Sequence, residues 1–341
     1  MRVLLAEMSS PFTVQMSEGH RGYVNGAETF ATALPLDWPL SITAGQLYVE
    51  GQPLGARFRL EPQSGVSYWE GKPYRGSLSF VADGNTIKVL NILDLESYLR
   101  GVVPVEMAAE WPVEALKAQA IAARTYTLQR LDPSELYDVC GTQACQEYGG
   151  MSVEHARSDA AVAETTGVVV TYGGSYARTV YHSDSGGVIA SAQEVWGGAF
   201  PYLVSIRDAD GRTPHRSWEL QLEPNQITAS LAAKGHNVGT VSGLSVLSYS
   251  PSGRVVQAQV TGSAGSATLS GVELRQLLRE WGLKSTRFSM TGALSAQGSG
   301  WGHGVGMSQY GAKALAEAGY NHLQILAFYY PYTEFQQHRF N

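Results

Sequence analysis

Clustered positive charge is the first thing this 341-residue chain lacks. It has 24 Lys and Arg against 30 Asp and Glu, a net charge of −6, and no run of five basic residues. Phosphate backbones are held by clustered Lys and Arg, so nucleic acid is excluded as a partner class. Neutral or sugar-like ligands stay open. Nor does any stretch reach the roughly 18–20 apolar residues that span a bilayer, so no transmembrane segment is expected. The opening "MRVLLAEMSSPFTVQMSEG" carries one basic residue and four apolar ones before Ala6 and Glu7. That is too little for a signal-peptide core, and its alternation predicts a first β-strand. The chain is then either cytosolic or exported with its signal removed. Cysteine is nearly missing: with Cys140 and Cys145 alone, no disulfide framework holds the fold. No fixed-period repeat is present.

What is present describes a folded chain. Hydrophobic residues make up 44% and charged ones 16%, enough for a sizeable core. The 38 Gly recur between short apolar runs and mark many turns and strands. Residues 1–90 are β-rich, and "LSFVADGNTIKVLNI" places Asp83-Gly84-Asn85 between alternating strands as a hairpin. In "DLESYLRG", Leu95, Tyr98 and Leu99 share a helix face, with Asp94 as N-cap and Gly101 as stop. "WPVEALKAQAIAARTYTLQRL" predicts a longer helix with Pro112 in its first turn and many Ala for close packing. "TGVVVTYGG" and "YARTVYHS" read as strands around Gly173-Gly174. Residues 205–287 alternate again, ending in the short helix "GVELRQLLREWG", and read as a β-rich insertion or subdomain. The end is a Gly-rich loop, a helix stopping at Gly319, and a last helix halting at Pro331. The fold class expected is α+β, Ala-rich helices on mostly antiparallel strands. Residues 91–204 with 288–341 form the core.

Four clusters carry candidate chemistry. "YHSDSGG" (181–187) resembles the nucleophile stretch of trypsin-like proteases. A nucleophilic Ser needs a His within hydrogen-bond reach and a group orienting that His. In a strand, however, His182 and Asp184 share one face while Ser183 and Ser185 share the other. The cluster cannot close its own triad without a bulge or turn, and a serine hydrolase is the weakest reading. Glu106 lies in "GVVPVEMAAEWP", among apolar residues. Lost hydration is expected to raise its pKa toward that of a general acid, against the plainer reading of a solvated or capping Glu. "GSGWGHGVGMSQYG" alternates Gly with other residues and fits neither a dinucleotide nor a phosphate-loop pattern. Trp301, His303, Gln309 and Tyr310 offer a stacking ring with amide, imidazole and hydroxyl groups, as sugar sites do, or else a buried Trp among tight turns. "CGTQAC" permits a local disulfide, free thiols, or two ligands of a zinc site that His155, His182 or His303 would have to join.

Together these stretches resemble the stage II sporulation protein D family, which includes LytB-type amidase enhancers. The matching pieces are "LESYLRGVVPVEM", "WPVEALKAQAIAARTYTL", "YDVC…CQEYGG", "TGVVVTYGG", "YHSDSGG", "EVWGGAFPYLVS", "LSGVELRQLL" and "GWGHGVGMSQYGAKALAEAGYNHLQILAFYYP", in family order from about residue 90 to residue 332. The resemblance implies an envelope or extracellular protein acting on peptidoglycan. It implies either a lytic transglycosylase with Glu106 as catalytic acid, or a binder of glycan strands that stimulates a cell-wall amidase. His182, Ser183 and Ser185 would then line the substrate cleft beside Trp301, His303, Gln309 and Tyr310, with Asp184 and Glu194 as auxiliary carboxylates. The cleft is expected between the loops around Glu106, His182 and His303. No cofactor is required, though zinc is associated with some members through the Cys-containing loop. This chain has Gln143-Ala144 where many relatives carry a His before the second Cys.

Overall fold

Alternating apolar positions turn the first ninety residues into paired strands. The computed structural model describes residues 1–9, 11–16, 19–32, 36–209 and 212–338. Arg2–Met8 pairs antiparallel with Thr86–Ile92, which pairs with Ser77–Asp83 across a two-residue Gly84-Asn85 turn. Gly84 has φ +61°, the left-handed region such a turn needs. With Arg57–Pro62, His20–Val24, Ala27–Thr32 and the short parallel Val139–Cys140, these form a seven-stranded sheet. Phe58, Phe80 and Trp69 pack in its core, ring centroids 6.2 and 6.3 Å apart.

The chain divides into two compact units. Unit 1 comprises residues 1–169, 176–178 and 336 onward; unit 2 comprises 170–175 and 179–335. In unit 1, α1 runs Leu95–Glu106, α2 Val113–Arg130 and α3 Ala156–Glu164. Asp94 caps α1 as expected, accepting the Ser97 N–H at 2.8 Å. Gly101 does not stop α1: it is buried within the helix, where a Cβ would lie 2.5 Å from the Tyr148 ring. Its role is close approach, so α1 continues through Pro104 and ends at Glu106. Pro112 sits at the N-cap of α2, one residue earlier than the first turn. Ala115, Ala118, Ala120, Ala122 and Ala123 of α2 are fully buried, which explains the Ala-rich sequence. Arg124, also fully buried, donates to both Glu96 carboxylate oxygens at 2.7 Å and to the Val162 and Val168 carbonyls at 3.3 and 3.2 Å. One guanidinium therefore ties the first turn of α1 to α2, α3 and the strand after it.

Unit 2 contains α4 (Ala192–Trp196), α5 (Pro224–Ala232), α6 (Gly271–Leu278), α7 (Gln309–Glu317) and α8 (His322–Tyr329). The helix following the Gly-rich loop, its Gly319 exit and the final helix before Pro331 stand where expected. "YARTVYHS" is not one strand: only Ser175–Tyr176 and Tyr181–His182 are strand, the latter pairing parallel with Met307–Ser308. Within 205–298, two three-stranded sheets and helices α5 and α6 share an apolar core from Trp218 to Ala296. Phe288–Met290 and Ser295–Gly298 pair with each other, and Ser295–Gly298 with Trp218–Gln221, so this core runs past residue 287. The architecture is α+β with mostly antiparallel sheets. Among the described residues no helix is long and apolar enough to cross a membrane.

Candidate active site and saccharide-contacting residues

The Glu106 carboxyl is the last side chain of α1 and is half-buried. It therefore sits on a packed helix end, where the expected site was a loop. Its Oε1 accepts the backbone N–H of Glu147 at 3.2 Å. That amide is brought there by the segment after the cysteines. Cys140 and Cys145 form a disulfide with Cα atoms 5.4 Å apart. The Gln146 side chain accepts from Thr127 at 2.8 Å and Tyr98 at 3.3 Å, while Tyr148 donates to Asn91 at 2.8 Å. Burial pushes the Tyr98 phenol well above its ordinary pKa, and the charge of Glu106 adds to it. Burial also raises Tyr126, where Arg130 and Arg178 oppose and Glu106 again adds. The charge of Glu106 is thus felt by two buried phenols, while its carboxyl, which solvent still reaches, accepts a backbone amide.

In this structure both cysteine sulfurs are spent on each other, leaving no thiolate to ligate zinc. Neither His155 nor the other two histidines named with the cysteines completes a site: among the described residues no group of three or more His, Cys, Asp and Glu could hold a metal ion. His155 caps α3, its Nδ1 accepting the Arg157 N–H.

The remaining sequence-predicted residues are brought together within unit 2. His182 is buried; its Nδ1 lies 3.1 Å from the Val305 carbonyl and so carries the proton, leaving Nε2 without a partner. Burial first, then His303 and Arg254, hold its pKa well below the usual value, so the ring is neutral. The His303 Nε2 donates to the Tyr181 carbonyl at 2.9 Å, and its Nδ1 accepts the Val305 N–H at 3.1 Å. The two imidazoles lie 5.3 Å apart, with the exposed Trp196 ring 5.1 Å from His303. Ser185 is fully buried; it donates to Asp208 at 2.5 Å and accepts from Gly187. The Ser183 carbonyl accepts the Tyr310 N–H at 3.0 Å. The imidazole nitrogens are thus turned to backbone or, at His182 Nε2, to nothing. They assemble no triad around Ser183 or Ser185, and the serine-hydrolase reading has no geometric support.

Trp301 is 44% exposed and bridges Asp184 by paired backbone hydrogen bonds of 2.8 and 3.0 Å. Its indole stands edge-on to His215, centroids 4.6 Å apart, and His215 stands edge-on to Tyr310 at 5.6 Å. Lys284 lies 5.4 Å from the Trp301 ring. Gly302, between Trp301 and His303, has φ +113° and would put a Cβ 2.7 Å from His182 Cβ. Glycine here lets the loop lie against the histidine. Gln309 is buried as the first residue of α7, capped by Ser308. Glu194 accepts from Ser191 and Ser252. Its burial opposes ionisation, but these serine donors outweigh it and its pKa is lowered. A carboxylate held that way is no proton donor.

Sequence reasoning missed Tyr98, Tyr126, His215 and Asp208. Tyr98 was visible only as a helix-face residue. His215 and Asp208 sit in irregular backbone, where no periodicity marks them. The "CQEYGG" stretch was the one local signal for the segment that reaches Glu106.

A stage II sporulation protein family model matches residues 83–172, and a model for a domain of unknown function (DUF8618) matches 208–306. The amidase enhancer of Bacillus subtilis is 32% identical across 90% of this chain, which spans only 51% of that protein. An uncharacterised protein of Brachyspira hyodysenteriae is 29% identical, covering 96% of this chain and 90% of its own length. Stage II sporulation protein D of Bacillus amyloliquefaciens is 30% identical over 70% of this chain and 73% of its own length. With the "P-x-E-M" carboxyl, the "YHSDSGG" turn and the Trp-Gly-His loop all in place, the chain belongs to the stage II sporulation protein D family.

Proposed function

We propose that the chain is a peptidoglycan lytic transglycosylase, with Glu106 as the single acid and base. Its substrate would be glycan strands stripped of their stem peptides. As an acid, the Glu106 carboxyl gives its proton to the oxygen linking N-acetylmuramic acid C1 to N-acetylglucosamine, and that C1–O bond breaks. As a carboxylate it then takes the proton of the muramoyl C6 hydroxyl while O6 bonds to C1, closing a 1,6-anhydro ring. The proton returns to Glu106 and no water is consumed, so the paired carboxylates of ordinary glycosidases are not needed.

The observation that carries this reading is a solvent-reached carboxyl on a rigid helix end, held by the Glu147 amide and close enough in charge to raise the Tyr98 and Tyr126 phenols. Saccharide contacts are assigned to unit 2, chiefly Trp301, Tyr310, His303 and Trp196. Ser183, His182, Ser185 and Gln309 hold those loops. Family membership supports a cell-wall role at the envelope or outside the cell. The chain needs no cofactor for this chemistry.

A second reading, a glycan-binding enhancer that does not cut, is favoured by the amidase enhancer's name and its 32% identity across most of this chain. In both readings a cell-wall amidase is the partner, since amidase action bares the glycan. Purified peptidoglycan, with and without amidase treatment, is incubated with wild type and Glu106→Gln, and products are read by mass. Anhydro-muramoyl ends from wild type alone support the enzyme. No soluble products, with both proteins pulled down by the glycan, support the enhancer.

A further inference from the structure

Cys145 and Glu147 are both partly exposed, whereas Gln146 between them is 1% exposed. A buried side-chain amide must find its hydrogen bonds inside the protein, and Gln146 finds them on two helices. Its Oε1 accepts from the Thr127 hydroxyl of α2 at 2.8 Å and from the Tyr98 hydroxyl of α1 at 3.3 Å. Its Nε2 donates to the Ala123 carbonyl of α2 at 3.4 Å. The next backbone N–H along the chain, that of Glu147, donates to Glu106 Oε1 at 3.2 Å. These bonds over two residues join α1 to α2 through a segment that belongs to neither helix. α1 enters twice, at Tyr98 near its start and at Glu106 at its end. Glutamine suits the position because one amide both accepts from hydroxyls and donates to a carbonyl, with no charge for burial to penalise. Burial first, and then the charge of Glu106, keep the Tyr98 phenol protonated, so it stays a donor to Gln146.

We propose that Gln146 is a positioning residue for Glu106: it holds the Glu147 amide on Oε1 and so fixes which carboxyl oxygen carries the proton. The inference deepens the proposed function and rests on it for the chemistry, though not for the geometry. An N–H donating to Oε1 competes with a proton on that oxygen, so the acidic proton belongs on Oε2. The terminal torsion of a glutamate is broad. Without the amide the two oxygens exchange places, and a carboxyl that must give a proton and then take one loses its fixed orientation. Gln146 itself acts only through Glu147. The segment has other anchors on either side: the Cys140–Cys145 disulfide before it, and after it Tyr148, which donates to Asn91 at 2.8 Å. A change at 146 should therefore displace the amide while the loop stays folded.

The test is amide NMR of the full chain, nitrogen-labelled at glutamate, across the acid range for wild type, Glu106→Gln, Gln146→Met and Thr127→Val. A hydrogen bond to a carboxylate strengthens as the carboxyl ionises, so the wild-type Glu147 amide proton should shift with pH, and Glu106→Gln should abolish that shift. Met matches the length of Gln but offers neither acceptor nor donor. In Gln146→Met the shift should fall to half or less. With peptide-stripped glycan as substrate, kcat should drop at least tenfold and KM change less than twofold. Gln146 acting only as core packing would lower the melting temperature and leave the Glu147 shift as in wild type, which overturns the proposal. So does an unchanged kcat where wild type cuts. If Gln146→Met does not fold, Thr127→Val decides: it removes one of the two hydroxyls, and an unaltered Glu147 shift there also overturns the proposal. If wild type yields no anhydro ends, the shift alone decides: a reduced shift in Gln146→Met keeps the positioning role while the lytic reading fails.

Discussion

Arg124→Met should unfold the helical part of unit 1 far more readily than the same change at Arg75, although the two ion pairs have the same geometry. Arg75 and Arg124 each make a two-pronged contact to a carboxylate, with both N–O distances 2.7 Å. What differs is burial. The Arg124 side chain is 0% exposed, its partner Glu96 21%; Arg75 is 35% exposed and Glu154 13%. Met retains most of the aliphatic stem, so the loss is electrostatic. At position 124 it leaves the Glu96 carboxylate without its guanidinium and takes a donor from the Val168 carbonyl. Breaking a buried pair from one side costs about 3–5 kcal/mol. At position 75 water replaces the guanidinium, and about 1 kcal/mol or less is expected. The larger figure is a substantial share of a domain's usual stability of about 5–15 kcal/mol. Two units need not unfold together, so the assay is native-state hydrogen exchange read by mass over α1, α2 and α3. A loss of protection at Arg124→Met no greater than at Arg75→Met would refute the reasoning. Because α1 begins at Glu96's turn and ends in Glu106, the same substitution should also lower any activity that depends on Glu106.

Replacing both cysteines by Ser opens a six-residue loop, which should cost unit 1 about 2 kcal/mol by chain entropy and loosen the Glu147 amide from Glu106. Thermal melting and the anhydro-product assay check the two effects, and added zinc should restore neither. Asp208 is pushed up in pKa chiefly by burial, against the bonds from Ser185, Tyr329 and Ser308. Its folded form holds a proton more tightly than the unfolded one, whose pKa is about 3.9. Stability should therefore fall as pH rises from about 4 through the folded pKa. Urea midpoints across that range should show the slope, and Asp208→Asn should flatten it. His182 runs the other way: neutral and buried, it contributes stability that is lost as pH falls below the unfolded imidazole's value of about 6.5. Nitrogen NMR of the ring should show the neutral Nδ1–H form persisting below that pH. Gly302→Ala drives a Cβ into His182 at a strained φ, so melting of unit 2 should drop by several degrees while exchange in α1–α3 stays unchanged.

Features governed by local rules were legible in the sequence. The Gly84-Asn85 hairpin, the Asp94 cap, the buried Ala face of α2 and the exit at Gly319 each depend on a few neighbouring residues, and each stands as read. Gly101 was misread because its function is long-range: the ring it makes room for belongs to Tyr148, far along the chain. The same reason hid α5, which lies in sequence that alternates enough to pass for strand, and the Glu147 amide, which reaches Glu106 only through the folded Cys loop. "YHSDSGG" shows the limit most sharply. Its residue types suggested a nucleophile, then a sugar contact, and composition could not choose among them. Hydrogen-bond saturation does choose. Ser185 is occupied by Asp208, both His303 nitrogens are occupied by backbone, and His182 is buried and neutral, so these three hold the loops in shape. Asp184 keeps a buried oxygen, Oδ2, without a partner, as His182 keeps its Nε2. Internal bonding in this polar cluster stops at those two buried atoms.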